Sequence, residues 1–81
     1  MMQFQLVSVT GTKYDGEAYE VLVPTRGGTI AIFEDHMPLI SAALPGVLSV
    51  RKKASDPDNE LENFAINGGV VHTDGKTVHF I

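Results

Sequence analysis

Glu34-Asp35-His36 is the one run in the sequence where carboxylates and an imidazole stand together, as they do in catalytic and metal sites. Metal ligands usually come from spacings that converge in space, whereas adjacent residues at a strand end point to different sides. His72 and His79 flank Asp74-Gly75 and would face each other across a hairpin, but nothing in the sequence brings His36 to them. We therefore expect no metal site, and we expect His72 and His79 to be half-exposed cross-strand residues.

A covalent nucleophile is not evident either. No serine is flanked by the Gly-x-Ser-x-Gly elbow, and the chain has no cysteine, so it lacks a thiolate and a disulfide. Gly27-Gly28 is followed by neither a lysine nor a helix start, so a phosphate loop is not expected. A binding or structural role is favoured. The enzymatic alternative requires His36, His72 and a carboxylate within hydrogen-bonding distance.

Size and charge narrow the classes of partner. The chain has 81 residues, enough for one domain over 1–81, and a net charge of −4 with only six Lys and Arg. The one basic cluster, Arg51-Lys52-Lys53, is typical of a solvated strand end, so we expect no nucleic-acid binding. Apolar runs stop well short of the roughly 18 residues of a membrane span, and the N-terminal residues predict a strand rather than a signal peptide.

The elements that would position these residues follow a period of two. Apolar and polar residues alternate from Phe4, from Tyr19 and from Leu48, which is the pattern of half-buried strands. Turn signals recur about every 8–10 residues, at Gly11, Asp15-Gly16, Gly27-Gly28, Pro45-Gly46, Asn67-Gly68-Gly69 and Asp74-Gly75. This spacing predicts an all-β fold, a small antiparallel β-sandwich or flattened barrel of eight to ten short strands.

The ordered set of motifs resembles one family along the whole chain, namely the N-terminal β-sandwich domain of the F-type ATP synthase epsilon subunit, called delta in mitochondria. The residues that carry the resemblance are Gly27-Gly28, Ile32-Phe33, His36-Met37-Pro38-Leu39, Ser41-Ala42-Ala43-Leu44, Pro45-Gly46 and Gly68-Gly69.

Three features depart from the family pattern. Ala31 replaces a usual glycine, which costs little in a strand, where φ is negative. Glu34-Asp35 replaces a common Pro-Gly-type pair, and we expect Asp35 to tolerate the left-handed backbone region that such a turn needs. The family also continues into a helical hairpin, whereas this sequence stops at Ile81.

The resemblance implies a rotor subunit that holds the foot of the gamma subunit, rests on the polar loops of the c-ring, and couples ring rotation to the catalytic head. It implies no active site and no cofactor, no ATP binding without the hairpin, and membrane association only through the complex, at the cytoplasmic face of the cell membrane or the equivalent organelle face. The c-ring interface would comprise Thr29, Glu34, Asp35, His36, Met37 and Pro38. The gamma interface would comprise Leu39, Ile40, Ser41, Ala42 and Leu44.

The remaining alternative is a stand-alone β-sandwich module that binds another protein. The rotor subunit predicts a sizeable apolar patch on one sheet face that a monomer does not explain. The stand-alone module predicts a polar surface with one concave pocket.

Overall fold

Strands make up nearly all of the regular structure. The computed structural model describes residues 2–8, 11–35 and 37–81. Within them, the chain forms seven strands and one turn of 3₁₀ helix, Asp58–Glu60, in the loop before the sixth strand. The strands are β1 (Met2–Ser8), β2 (Gly11–Ala18), β3 (Glu20–Thr25), β4 (Gly28–Phe33), β5 (Leu39–Arg51), β6 (Glu62–Thr73) and β7 (Thr77–Phe80). The all-β prediction is confirmed. Among the described residues, no helix has the length and apolarity needed to cross a membrane.

The strands hydrogen-bond in the order β2-β1-β7-β6-β5-β3-β4. All neighbours are antiparallel except β1 and β7, which run parallel from Gln3 beside Thr77 to Leu6 beside Phe80. The sheet is therefore mixed, and the expectation of a wholly antiparallel arrangement was wrong at this pair. The alternation of residues could not reveal it, because a strand shows the same period of two in either direction.

The count of eight to ten strands was also too high for the described residues. Pro45-Gly46 and Asn67-Gly68-Gly69 are not turns but lie inside β5 and β6, which stay paired from Leu39 beside Thr73 to Val50 beside Glu62. β3 joins β5 only at Ser49–Arg51, so β5 has a ladder on one side where Pro45 lies. A proline is tolerated in such a one-sided segment.

The sheet folds into two layers, and the two longest strands, β5 and β6, run through both of them. Layer 1 contains β2, β1 and β7, followed by residues 69–73 of β6 and 39–43 of β5. Layer 2 contains β4 and β3, followed by residues 47–51 of β5 and 62–67 of β6. The strands pass from one layer to the other at the glycine pair, where Gly68 has φ +86° and Gly69 has φ +148°.

The core lies between the layers and is mainly apolar. Among the described residues, the buried polar side chains are Thr73 and Glu20. Completely buried side chains come from both layers, and each stabilises the fold by about 1.5–3 kcal/mol through its removal from water. Layer 1 supplies Met2, Phe4, Val71 and Val78, and layer 2 supplies Val21, Val23, Ile32, Leu48 and Val50. With the core filled by the inward residues of every strand, the outward residues remain to form the functional surfaces.

Candidate functional site

Part of the outer face of layer 1, where β5 pairs with β6, is apolar. In β5, Ile40 and Ala42 point away from the core and stand opposite His72 and Val70 of β6. Ile81 exchanges two backbone hydrogen bonds with Val70 and so extends this surface, with N···O distances of 2.9 and 3.0 Å. Ile40 is 73% exposed, Ile81 76% and Val70 46%. We call Ile40, Ala42, Val70 and Ile81 the apolar face. Exposed aliphatic side chains grouped on one sheet face mark a candidate interaction surface.

The apolar face contains part of the set predicted to contact gamma. Ile40 and Ala42 belong to it, and Leu44 is exposed at the bend beside it. Leu39 instead packs against the core, and Ser41 lies opposite the buried Val71, so both point toward the interior. The alternation of a strand causes this division, because a continuous run of five residues cannot share one face.

The loop at residues 34–38 carries most of the set predicted to contact the c-ring. Asp35 has φ 65°, so it occupies the left-handed region as expected. Its backbone N–H donates to the Gly75 carbonyl at 2.7 Å, and its carboxylate pairs with the Lys76 ammonium group, which also lies 3.9 Å from Glu34 Oε2. Met37 is 80% exposed and Pro38 is exposed as well, whereas His36 lies outside the described residues.

The β6–β7 turn to which this loop is tied is itself closed by side chains. The Asp74 carboxylate accepts the backbone N–H groups of Lys76 and Thr77, both at 2.9 Å, and these bonds lower the pKa of Asp74. The Thr73 hydroxyl accepts the Gly75 N–H at 3.0 Å. The bond from Lys76 to Asp35 raises the pKa of the lysine. Loop and turn therefore form one connected unit at this end of the sandwich.

Thr29 does not belong to that unit. It pairs with Pro24 in the β3–β4 hairpin, at the beginning of β4, whereas Glu34 follows the end of the same strand. At about 3.3 Å per residue, the four steps from Thr29 to Phe33 separate the two places by roughly 13 Å. The structure thus divides the predicted c-ring set between the hairpin and the loop.

Arg51 has a role that the sequence analysis missed. Its side chain is not a solvated strand end, because only 15% of it is exposed. Its Nε donates to Glu20 Oε1 at 2.9 Å, its Nη2 to Asp58 Oδ1 at 2.6 Å, and its Nη1 to the Asp56 carbonyl. The bonds with Asp58 and Glu20 raise the pKa of Arg51. The acidic loop at 55–60 was the available signal, since it needs a cation to hold it against the sheet.

The histidines form the cross-strand pair that was expected. His72 of β6 stands opposite His79 of β7, with ring centroids 6.5 Å apart and planes 17° from parallel. Within the described residues, no group of three or more His, Cys, Asp or Glu could hold a metal ion. No described carboxylate hydrogen-bonds to His72, so the arrangement required for a His/carboxylate enzyme is not found in that part of the chain.

A cavity of about 650 Å³ opens where the two layers diverge. It lies between the ends of β1 and β7 and the first half of β6, and its lining is mostly apolar, including Leu6, Phe64, Ile66 and Phe80. Its size falls in the range of small-molecule and peptide pockets.

Comparison with known proteins agrees with this geometry. The family model described as the ATP synthase delta/epsilon chain, beta-sandwich domain, matches residues 1–81. The ATP synthase epsilon chain of Sulfurihydrogenibium sp. (strain YO3AOP1) is 33% identical over 78 residues, covering 96% of this chain and 55% of the relative. ATP synthase epsilon chain 2 of Burkholderia orbicola (strain AU 1054) is 34% identical over 79 residues, covering 95% and 50%. This chain spans about half the length of these curated relatives.

Solved structures show the same fold. A chain in the cryo-EM structure of Euglena gracilis mitochondrial ATP synthase (OSCP/F1/c-ring) superposes with a TM-score of 0.84 at 18% identity, covering 98% of this chain and 48% of that one. A chain in the central stalk/c-ring structure of Tetrahymena thermophila mitochondrial ATP synthase gives a TM-score of 0.78 at 19% identity, covering 98% and 60%. Because the family model matches residues 1–81 of this sequence, the chain belongs to the family of ATP synthase delta/epsilon chain β-sandwich domains.

Proposed function

We propose that this chain acts in the central stalk of an F-type ATP synthase, where it couples rotation of the c-ring to the catalytic head. Membership of the delta/epsilon family supports the assignment. The observation that carries it is the apolar face, because exposed aliphatic side chains grouped on a sheet face are what a permanent partner covers.

The gamma subunit is the partner proposed for the apolar face. Ile40, Ala42 and Leu44 would make direct contact, with Val70 and Ile81 extending the same surface. Leu39 and Ser41 support the contact from beneath, because their side chains hold β5 against the interior. In the segment 39–44, the outward side chains would thus contact gamma, whereas the inward side chains hold the strand in place.

The polar loops of the c-ring are the partner proposed for the loop at residues 34–38. Glu34, Asp35 and Pro38 offer a mainly polar surface, with Met37 as an adaptable apolar contact and His36 within the same segment. The Lys76 pair and the Asp35–Gly75 hydrogen bond fix the loop to the β6–β7 turn, so a force on the loop is passed to layer 1. Thr29 would make a second contact through the β3–β4 hairpin.

The role proposed is mechanical rather than catalytic. A densely packed two-layer sandwich resists shear, which is what a coupling element must do. We propose that the chain has no active site and needs no cofactor. It would stay at the membrane only through the complex, at the cytoplasmic face of the cell membrane or the equivalent organelle face.

Binding to purified gamma subunit, and to a gamma–c-ring subcomplex, tests this function. Ile40→Asp places a charge in the apolar face and should abolish binding to gamma, because the carboxylate would be buried without a partner. Val47→Asp is the matched control, since Val47 is an equally aliphatic, 55% exposed residue of the same strand on the outer face of layer 2. It should bind as the unmodified chain does.

Two outcomes would overturn the assignment. If the unmodified chain binds neither gamma nor the subcomplex, the rotor role fails, and a stand-alone module that uses the cavity becomes the better hypothesis. If Val47→Asp abolishes binding and Ile40→Asp does not, the function stands but the contact lies on layer 2. Substitution of Met37 and Glu34 should weaken binding to the subcomplex while leaving binding to gamma unchanged.

A further inference from the structure

The two paired histidines occupy one end of the outer face of layer 1. Their backbones stand directly opposite each other in an antiparallel pair, a register that sets cross-strand Cβ atoms about 5 Å apart. Their rings lie one over the other, with centroids at 6.5 Å. Both side chains reach the surface, His72 being exposed and His79 half-buried. A dissolved ion can therefore reach both rings.

His72 has one charged neighbour, Asp74, with which it interacts electrostatically, and neither ring is otherwise engaged among the described residues. Within the described residues, His72 and His79 make no hydrogen bond or ion pair, so their nitrogen lone pairs are not committed to a neighbour. Asp74, the nearest carboxylate along β6, already accepts two backbone N–H groups through Oδ1. Two neighbouring imidazoles can chelate one ion once both rings turn so that a nitrogen of each points to it, because an imidazole binds a metal in the plane of its ring.

The separation of the two rings lies close to the one that a shared metal requires, whereas their orientation must change. A metal–nitrogen distance of about 2.0–2.1 Å places each ring centroid roughly 3.2 Å from the ion, and a tetrahedral angle then sets the centroids about 5.2 Å apart. The observed 6.5 Å must shorten by roughly 1 Å, and the rings, whose planes are 17° from parallel, must turn so that the ion lies in the plane of both. Rotation about the side-chain torsions of two surface residues makes both changes. The strands themselves need not move.

We propose that His72 and His79 chelate one divalent transition-metal ion of the borderline class, Cu²⁺, Ni²⁺ or Zn²⁺, with water in the open positions. Imidazole nitrogen favours these ions over Mg²⁺ and Ca²⁺, which prefer oxygen. Gln5 stands beside His79 on β1, and its amide oxygen is the protein group placed to supply a third ligand. The site does not depend on the assignment to ATP synthase, because it lies wholly within this chain.

Titration of the untagged chain with Cu²⁺, Ni²⁺ and Zn²⁺ tests the proposal. We expect one ion per chain, tightest for Cu²⁺, and no competition from Mg²⁺. His72→Gln and His79→Gln should each weaken binding by about ten-fold or more, because the second imidazole acts at high effective concentration once the first has bound. Since each single change already destroys the chelate, the losses of the two single variants should sum to more than the loss of the double variant.

His36→Gln is the matched control, because it removes the third histidine of the sequence and should leave the affinity unchanged. Circular dichroism of every variant confirms that the sandwich is intact. The electron paramagnetic resonance spectrum of the Cu²⁺ complex should show two nitrogen ligands, and one in each single variant. Unchanged affinity in both single variants, or loss of binding only in His36→Gln, would overturn the proposal.

Discussion

Two glycine-containing segments of the second half of the chain look alike in sequence and fold differently. Asn67-Gly68-Gly69 and Asp74-Gly75 are both typical hairpin signals, but only the second ends a strand. At the second, the Asp74 carboxylate and the Thr73 hydroxyl accept the turn's own N–H groups. At the first, Asn67 stays opposite Pro45 and Gly69 opposite Ala43, so the chain continues as a bent strand.

The difference between the two segments shows that glycine in a turn motif is not sufficient to form a hairpin. Glycine permits a positive φ, but closing a hairpin also requires local acceptors for the backbone groups that leave the ladder. Where a long neighbouring strand supplies those partners instead, the same residues make a bend that carries the strand from one layer to the other. Gly69 in the bend and Gly75 in the hairpin are consequently required for different reasons. Substitution of each by alanine can measure the two requirements separately.

Gly69→Ala should have the largest effect. An added Cβ would lie 2.8 Å from the Phe80 ring and 2.7 Å from the Ile81 carbonyl oxygen, at a φ of +148°. Overpacking and backbone strain together should lower the free energy of unfolding by roughly 3–5 kcal/mol, which a domain of this size barely tolerates. Urea denaturation followed by circular dichroism measures the loss.

Gly27→Ala is its control, because no atom lies within 4 Å of the added Cβ there, and its stability should match that of the unmodified chain. If Gly69→Ala does not fold, the test moves to a Phe80→Leu background, where the alanine should cost less because the ring is gone. Equal stability of Gly69→Ala and Gly27→Ala would mean that the bend does not depend on close packing.

Gly75→Ala should have an intermediate effect. Gly75 has φ +101°, a conformation that alanine adopts with strain, so the hairpin should lose about 1–3 kcal/mol of unfolding free energy. The expected ranking, with Gly69→Ala more destabilising than Gly75→Ala, tests whether the close contacts of the added Cβ with Phe80 and Ile81 add to the cost of a positive φ. The same urea series measures it, and a reversed ranking would remove the distinction between bend and hairpin.

Asp74→Asn should have the smallest effect, and one that depends on pH. The backbone bonds lower the pKa of Asp74, so the folded chain holds the carboxylate proton more weakly than the unfolded chain does. The resulting stabilisation is present above the ordinary aspartate pKa of about 3.9 and disappears as the pH falls through the lowered value. The urea midpoint of the unmodified chain should exceed that of Asp74→Asn at about pH 7, and the two midpoints should converge as the pH falls below the lowered pKa of Asp74. If the difference between the two urea midpoints did not change with pH, the stabilisation by Asp74 would not depend on the charge of its carboxylate.

Local patterns predicted the fold class and several details. Alternation gave the strands around Phe4 and Leu48, the histidine pair followed from a correct hairpin at Asp74-Gly75, and the left-handed Asp35 followed from the tolerance of aspartate. Each of these depends on residues close in sequence.

Features that depend on distant residues were not predictable. The parallel pairing of β1 with β7, and the Arg51 contacts with Glu20 and Asp58, need the tertiary fold before their partners are known. The residues predicted to contact gamma also turned out to point in two different directions. A contiguous run such as 39–44 resembles one site in sequence, yet the pleat directs its members to opposite sides.

The parallel contact between residues 3–6 and residues 77–80 has a consequence for how the chain acquires its structure during synthesis. Before β7 emerges from the ribosome, β1 has only β2 beside it, and an isolated two-stranded ribbon is at best marginally stable in water. Layer 1 therefore closes only after β7 has been synthesised, so this domain folds late relative to its own synthesis. Its folding should be slow, because the contact that closes layer 1 joins the first and the seventh strand.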